Sequence, residues 1–209
     1  VAEGGGTFGT TFQANGQFKA DRNVTVTTAP NNAGPVVTIG DTTPAAAILG
    51  NLTVSSGNGP LALTLTNLTV GGATRVTTEA GADTLTISGS TFQGAFTANT
   101  GAGADTLAID GTTFRGAFTA NTGAGNDTLN IAQLASMPGP VTFAGRAVIS
   151  SGPGNDTLTL GRMGVANAEA VFDVPTSQIN GGIGLNTFFA STAQFTGLTA
   201  ANFLNWTSG

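Results

Sequence analysis

Two stretches of this chain are near copies of each other, Thr91–Leu107 (TFQGAFTANTGAGADTL) and Thr113–Leu129 (TFRGAFTANTGAGNDTL). A period of roughly 20–25 residues is about one turn of a β-solenoid, so each copy reads as one coil of a stacked superhelix. The register extends beyond the two copies. Gly50, Gly72, Gly94 and Gly116 fall in one column, and Ile48, Val70, Phe92 and Phe114 in another. Leu63, Leu85, Leu107 and Leu129 form a third column, and Leu65, Ile87, Ile109 and Ile131 a fourth.

Within each coil the apolar residues alternate with polar ones, as in Thr84-Leu85-Thr86-Ile87. That is the pattern of a half-buried strand, whose successive side chains point to opposite faces. Glycine-rich corners between short strands allow the positive φ that sharp turns need. The sequence therefore predicts an all-β, right-handed parallel β-helix, the hand following the general rule for parallel crossovers. Two or three short strands are expected in each coil.

The register breaks twice. Phe143-Ala144-Gly145 matches Phe114-Arg115-Gly116 only across a longer step, which places an edge loop around Gln133–Pro140. Gly154-Asn155-Asp156-Thr157-Leu158 recurs late, as Gly184-Leu185-Asn186-Thr187-Phe188. The extra length there lies near Arg162–Ala170, with a short helical excursion expected over Val165–Val171. The expected organisation is one domain over 1–209, a fragment of a larger protein that starts at Val1 without a Met. It comprises an irregular N-terminal cap at 1–23, coils at 24–190 and a C-terminal cap at 191–209 that carries the sole tryptophan, Trp206. End coils of a solenoid need covering, or they join protomers.

Composition excludes several functions. There is no Cys and no His, which removes thiol nucleophiles, imidazole bases and nearly all zinc or copper chemistry. A net charge of −5 with six scattered basic residues offers no stripe for nucleic acid and no patch for an anionic membrane. No run of about 18 apolar residues suggests membrane insertion.

One repeated motif carries chemistry. Ala80-Gly81-Ala82-Asp83-Thr84-Leu85 recurs as 102–107, 124–129 and, with Pro153, as 153–158. Asp83, Asp105, Asp127 and Asp156 stack in a column, with Asn186 in the fifth place. Like charges one coil apart repel, so the column asks either for a cation or for local backbone N–H donors in an Asx turn. The motif resembles the RTX (haemolysin-type) calcium-binding repeats of secreted bacterial proteins, whose unit is G-G-x-G-x-D-x-U-x. That resemblance implies Ca²⁺ at Asp83, Asp105, Asp127 and Asp156, and secretion or display at a bacterial cell surface. Here a single unit occurs in each coil, whereas RTX units follow every nine, and Glu79 stands where the first unit would have its leading Gly.

The function expected from these features is a non-enzymatic structural or adhesive module, with cell-surface or matrix components, glycans among them, as partners and self-association through end coils. The alternatives are a polysaccharide lyase or hydrolase using two carboxylates, with Asp110 adding one just past Ile109, and ice binding by ranks of outward Thr.

Overall fold

The computed structural model describes residues 11–14, 19–28, 34–40, 46–133, 139–162, 169–190 and 195–208. They form a right-handed parallel β-helix of three sheets, with nine, eight and eight strands. Every paired strand is parallel to its neighbours, and each coil contributes one strand to each sheet in turn. The fifth coil is representative: Thr106–Asp110 lies in sheet 1, Thr113–Phe114 in sheet 2 and Phe118–Asn121 in sheet 3.

The register is that of the repeat. Leu85 pairs with Leu63 and Leu107, Ile87 with Leu65 and Ile109, and Phe92 with Val70 and Phe114. These side chains are sealed, none more than 2% exposed. Each contributes roughly 1.5–3 kcal/mol by leaving water. Phe92, Phe114, Phe143 and Phe172 stack along the axis at 5.3, 5.3 and 4.7 Å, with rings within 15° of parallel. Phe96 and Phe118 of sheet 3 meet that column edge-on or tilted, so two sheets close one aromatic core.

The glycine column makes one corner tight. A Cβ at Gly94 would meet the Gly72 carbonyl carbon at 2.6 Å, so successive coils touch backbone to backbone. Gly145 extends this column past the first insertion.

The parallel ladder also runs into both segments expected as irregular caps. Thr11–Ala14 and Lys19–Ala20 pair with Val36–Ile39 and Ala47–Ile48. At the other end Phe203–Leu204 pairs with Ile179–Asn180, and Thr207–Ser208 begins a ninth coil. Leu198, Phe203 and Trp206 pack, half-buried, against the core. Much of both insertions lies outside the described residues, including 165–168 of the expected helical excursion. Of its remainder, Ala170 and Val171 are strand, paired with Val141 and Thr142.

Candidate functional site

The corner between sheets 3 and 1 holds the acidic column. Asp83, Asp105, Asp127 and Asp156 stand just before the sheet 1 strands, and all four are 1–2% exposed. Asn186 is equally buried in the fifth place. The sequence reading brought these five together, and the structure places them so.

Their bonding differs from an Asx turn, whose donor lies two residues along the same corner. Oδ1 of Asp105 accepts the backbone N–H of Asp83, Oδ1 of Asp127 that of Asp105, and Oδ1 of Asp156 that of Asp127, at 2.8, 2.9 and 2.9 Å. Asn186 Oδ1 takes the N–H of Asp156, and Asp83 Oδ1 that of Leu61. Each side chain thus reaches back one coil. The reason is the turn itself, where the chain leaves one sheet for the next and a buried N–H still requires an acceptor.

The second oxygens are in a different situation. A hydroxyl stands five residues before each Asp: Thr78, Thr100, Thr122 and Ser151. Each is buried and each donates along the axis to the carbonyl of its counterpart in the next coil or beside it. Thr78 reaches the Thr100 carbonyl at 2.5 Å, Thr100 that of Thr122 at 3.0 Å, and Thr122 that of Ser151 at 3.2 Å. Ser151 reaches the Gly181 carbonyl at 3.2 Å. With those protons committed, Oδ2 of Asp105, Asp127 and Asp156 receives no donor. Thr100 and Ser151 do lie against the carboxyls of Asp105 and Asp156. At these two coils the hydroxyl oxygen faces the carboxyl while its proton goes to a carbonyl along the axis. Sequence reading missed these hydroxyls, although their constant five-residue lead over Asp was visible in both near copies.

Burial pushes the Asp105 carboxyl up to about 6, aided by the neighbouring carboxylates of Asp83 and Asp127 and opposed by its hydrogen bonds. Burial likewise raises Asp83 and Asp156.

Calcium takes six to eight oxygens, usually carboxylates with turn carbonyls. The corner does not supply that set. One oxygen of each carboxyl already accepts an amide N–H. Corner carbonyls are also engaged: Glu79 and Gly101 accept the N–H of Ala102 and Ala124, and Asp83 and Asp105 those of Thr106 and Thr128. Among the described residues, no three acidic side chains converge on a point that could hold a metal. The donor set of Asp83, Asp105, Asp127 and Asp156 therefore does not fit Ca²⁺.

Asp110 lies at the far end of its strand from Asp105, also 2% exposed, on the corner between sheets 1 and 2. There Ser90 and Thr112 repeat the inter-coil bonding with hydroxyls, taking the N–H of Leu68 and Ser90 at 3.1 and 3.4 Å.

On the described strands of sheet 1 the outward positions are uncharged, whereas sheet 3 presents Arg75. On sheet 1, Thr84, Thr106, Thr128, Thr157, Thr187 and Thr207 stand in one file. The parallel file two residues along reads Thr86, Ala108, Asn130, Thr159 and Phe189. Comparison of the chain with protein-family models, with curated proteins and with solved structures finds no match, for the RTX repeats or for any other family.

Proposed function

We propose that this chain is a non-enzymatic structural or adhesive module of a bacterial surface or secreted protein. The observation that carries the reading is the use of its polar groups. The buried carboxyls and hydroxyls are turned to neighbouring coils, and the outer faces carry ranks of Thr, Ser and Asn. A rod whose coils bond chiefly to one another suits a spacer or a display surface. Carboxyls 1–2% exposed are poorly placed to meet a polysaccharide, which weighs against the two-carboxylate hydrolase. Ile183 and Leu185, 81% and 80% exposed on the corner that carries Asn186, support self-association near the C-terminal coil.

The test is to offer the purified chain a panel of polysaccharides and matrix proteins while following both retention and cleavage. Retention without new reducing or unsaturated ends is the expected result. Turnover of any member would overturn the reading in favour of a lyase or hydrolase.

The unbroken file of six Thr on sheet 1 favours ice binding as the second reading. Inhibition of ice recrystallisation, lost on Thr106→Lys and Thr128→Lys, would move it to first place.

A further inference from the structure

The acidic column has too few protons if all its carboxyls are charged. Thr78 shows this most directly: its hydroxyl lies 2.7 Å from Asp83 Oδ2 and 2.5 Å from the Thr100 carbonyl, and it has one proton for two acceptors. One coil on, Thr100 gives its proton to Thr122, and Asp105 Oδ2 is left with none. Ser151 and Asp156 repeat the shortage, and Asp127 Oδ2 is also without a donor. A sealed oxygen without a donor is costly, and a charged one more so.

Asn186 reveals what the site requires. It keeps the acceptor, Oδ1 to the N–H of Asp156. Its amide nitrogen, standing where the Asp residues have Oδ2, donates to the Gly181 carbonyl at 2.7 Å. An amide has the shape of a protonated carboxyl, with an acceptor oxygen on one side and a donor group on the other. In this same coil the hydroxyl is replaced by Gly181, where a Cβ would lie 2.7 Å from the Asn186 amide nitrogen. Donor and acceptor have changed together.

We propose that the column is a proton-binding ladder in which Asp83, Asp105 and Asp156 are neutral acids in mildly acidic solution. Each Oδ2–H donates to the hydroxyl five residues upstream, and that hydroxyl donates to a carbonyl of the next coil. Each carboxyl oxygen of these three residues then has a partner, and the column carries protons in the place where the RTX resemblance implied calcium. The groups facing Asp105 are the carboxyls of Asp83 and Asp127 on either side and the Thr100 hydroxyl, with no cation among them. Asp156 faces Asp127, Ser151 and the Asn186 amide. Glu79, on the same corner as Asp83, is exposed. The ion pair among the described residues, Lys19–Asp21, lies elsewhere, on the first coil.

Such a rod is tightest in mild acid. The folded carboxyls hold protons more strongly than the unfolded chain, whose Asp residues titrate near 3.9. Between about pH 4 and the Asp105 value of about 6 the folded state binds more protons. Stability therefore falls as pH rises through that window and levels off above it. This inference stands whether or not the rod is adhesive.

Carboxyl ¹³C NMR of the full chain labelled at Asp reads the protons directly. Asp105 is expected to titrate near pH 6, and a midpoint at or below 4 would overturn the proposal. The thermal midpoint of Asp105→Asn at pH 7.5 is expected to exceed that of the native chain by about 2–4 °C, with the gain vanishing at pH 4.5. A folded variant that melts lower at pH 7.5 would count against it equally. Melts at pH 7.5 in chelator and in millimolar Ca²⁺ are expected to coincide. A calcium-dependent rise, lost in Asp105→Asn, would replace the proton with a cation.

Discussion

The backbone N–H of Asp83 donates to Oδ1 of Asp105 at 2.8 Å, joining two residues that are 22 apart in sequence and adjacent across the stack. The same Asp83 offers its carbonyl to the N–H of Thr106 at 2.8 Å. One residue type therefore carries the ladder around a corner where strand-to-strand pairing has stopped. Its backbone serves the coil ahead and its side chain the coil behind.

Removing the acceptor tests that role. Asp127→Ala leaves the N–H of Asp105 buried with no partner. The expected cost is about 1–3 kcal/mol, read as a lower urea midpoint with an unchanged slope. Asp127→Asn keeps Oδ1 and is expected to lose much less. Equal losses in both variants would mean that the carboxyl, and not the acceptor oxygen, holds the corner.

The fifth position gives the converse. In Asn186→Asp the nitrogen that donates to the carbonyls of Gly181 and Asn205, at 2.7 and 3.2 Å, becomes an oxygen facing two acceptors. No hydroxyl is available there to take a proton. A loss of about 1–3 kcal/mol is expected at pH 8, and denaturant melts at pH 4.5 should recover part of it, because a protonated carboxyl restores one of the amide's two donors. A loss independent of pH would contradict this account.

Much of the stack was legible because its period is constant where it matters. Between Ala62 and Ile131 every coil has the same length, so Leu63 to Leu129 and Leu65 to Ile131 align by counting. The ends were not legible for the opposite reason. The step from Val24 to its partner Leu52 is long, that from Thr11 to Val36 shorter, and that from Thr187 to Thr207 shorter still. Unequal corners thus hide a ladder that is still in register. The acidic column was readable as a column but not as a bonding pattern. An Asx turn and an inter-coil bond require the same Asp, and only the fold shows that the donor is one coil back. The Thr100 and Thr122 hydroxyls escaped notice because Thr is also a common strand residue.

The aromatic column should dominate core energetics. Phe114 is 1% exposed and stacks between Phe92 and Phe143 at 5.3 Å on both sides, with Phe96 and Phe118 at 5.2 and 4.6 Å. Phe114→Ala opens a cavity in the middle of the stack and is expected to cost about 3–5 kcal/mol. Phe114→Leu should cost less than half of that. Guanidinium unfolding curves of the two variants check the ratio, and a Phe114→Ala loss below about 1 kcal/mol would mean that adjacent coils close the gap.

Gly103 tests whether the corners can admit any side chain at all. Its φ is +150°, and a Cβ there would overlap the carbonyl oxygen of Gly81 in the preceding coil. The strain is therefore both conformational and steric, and the obstacle is backbone that also carries the inter-coil bond from the Gly81 N–H to the Ala102 carbonyl. Gly103→Ala should cost about 3 kcal/mol, near the upper end of ordinary single-site effects. Ala104→Ser, at the exposed neighbouring position, should change the stability by less than about 0.5 kcal/mol. If Gly103→Ala unfolds at the native midpoint, the corners are not backed against one another, and the close stacking of the acidic file falls with them.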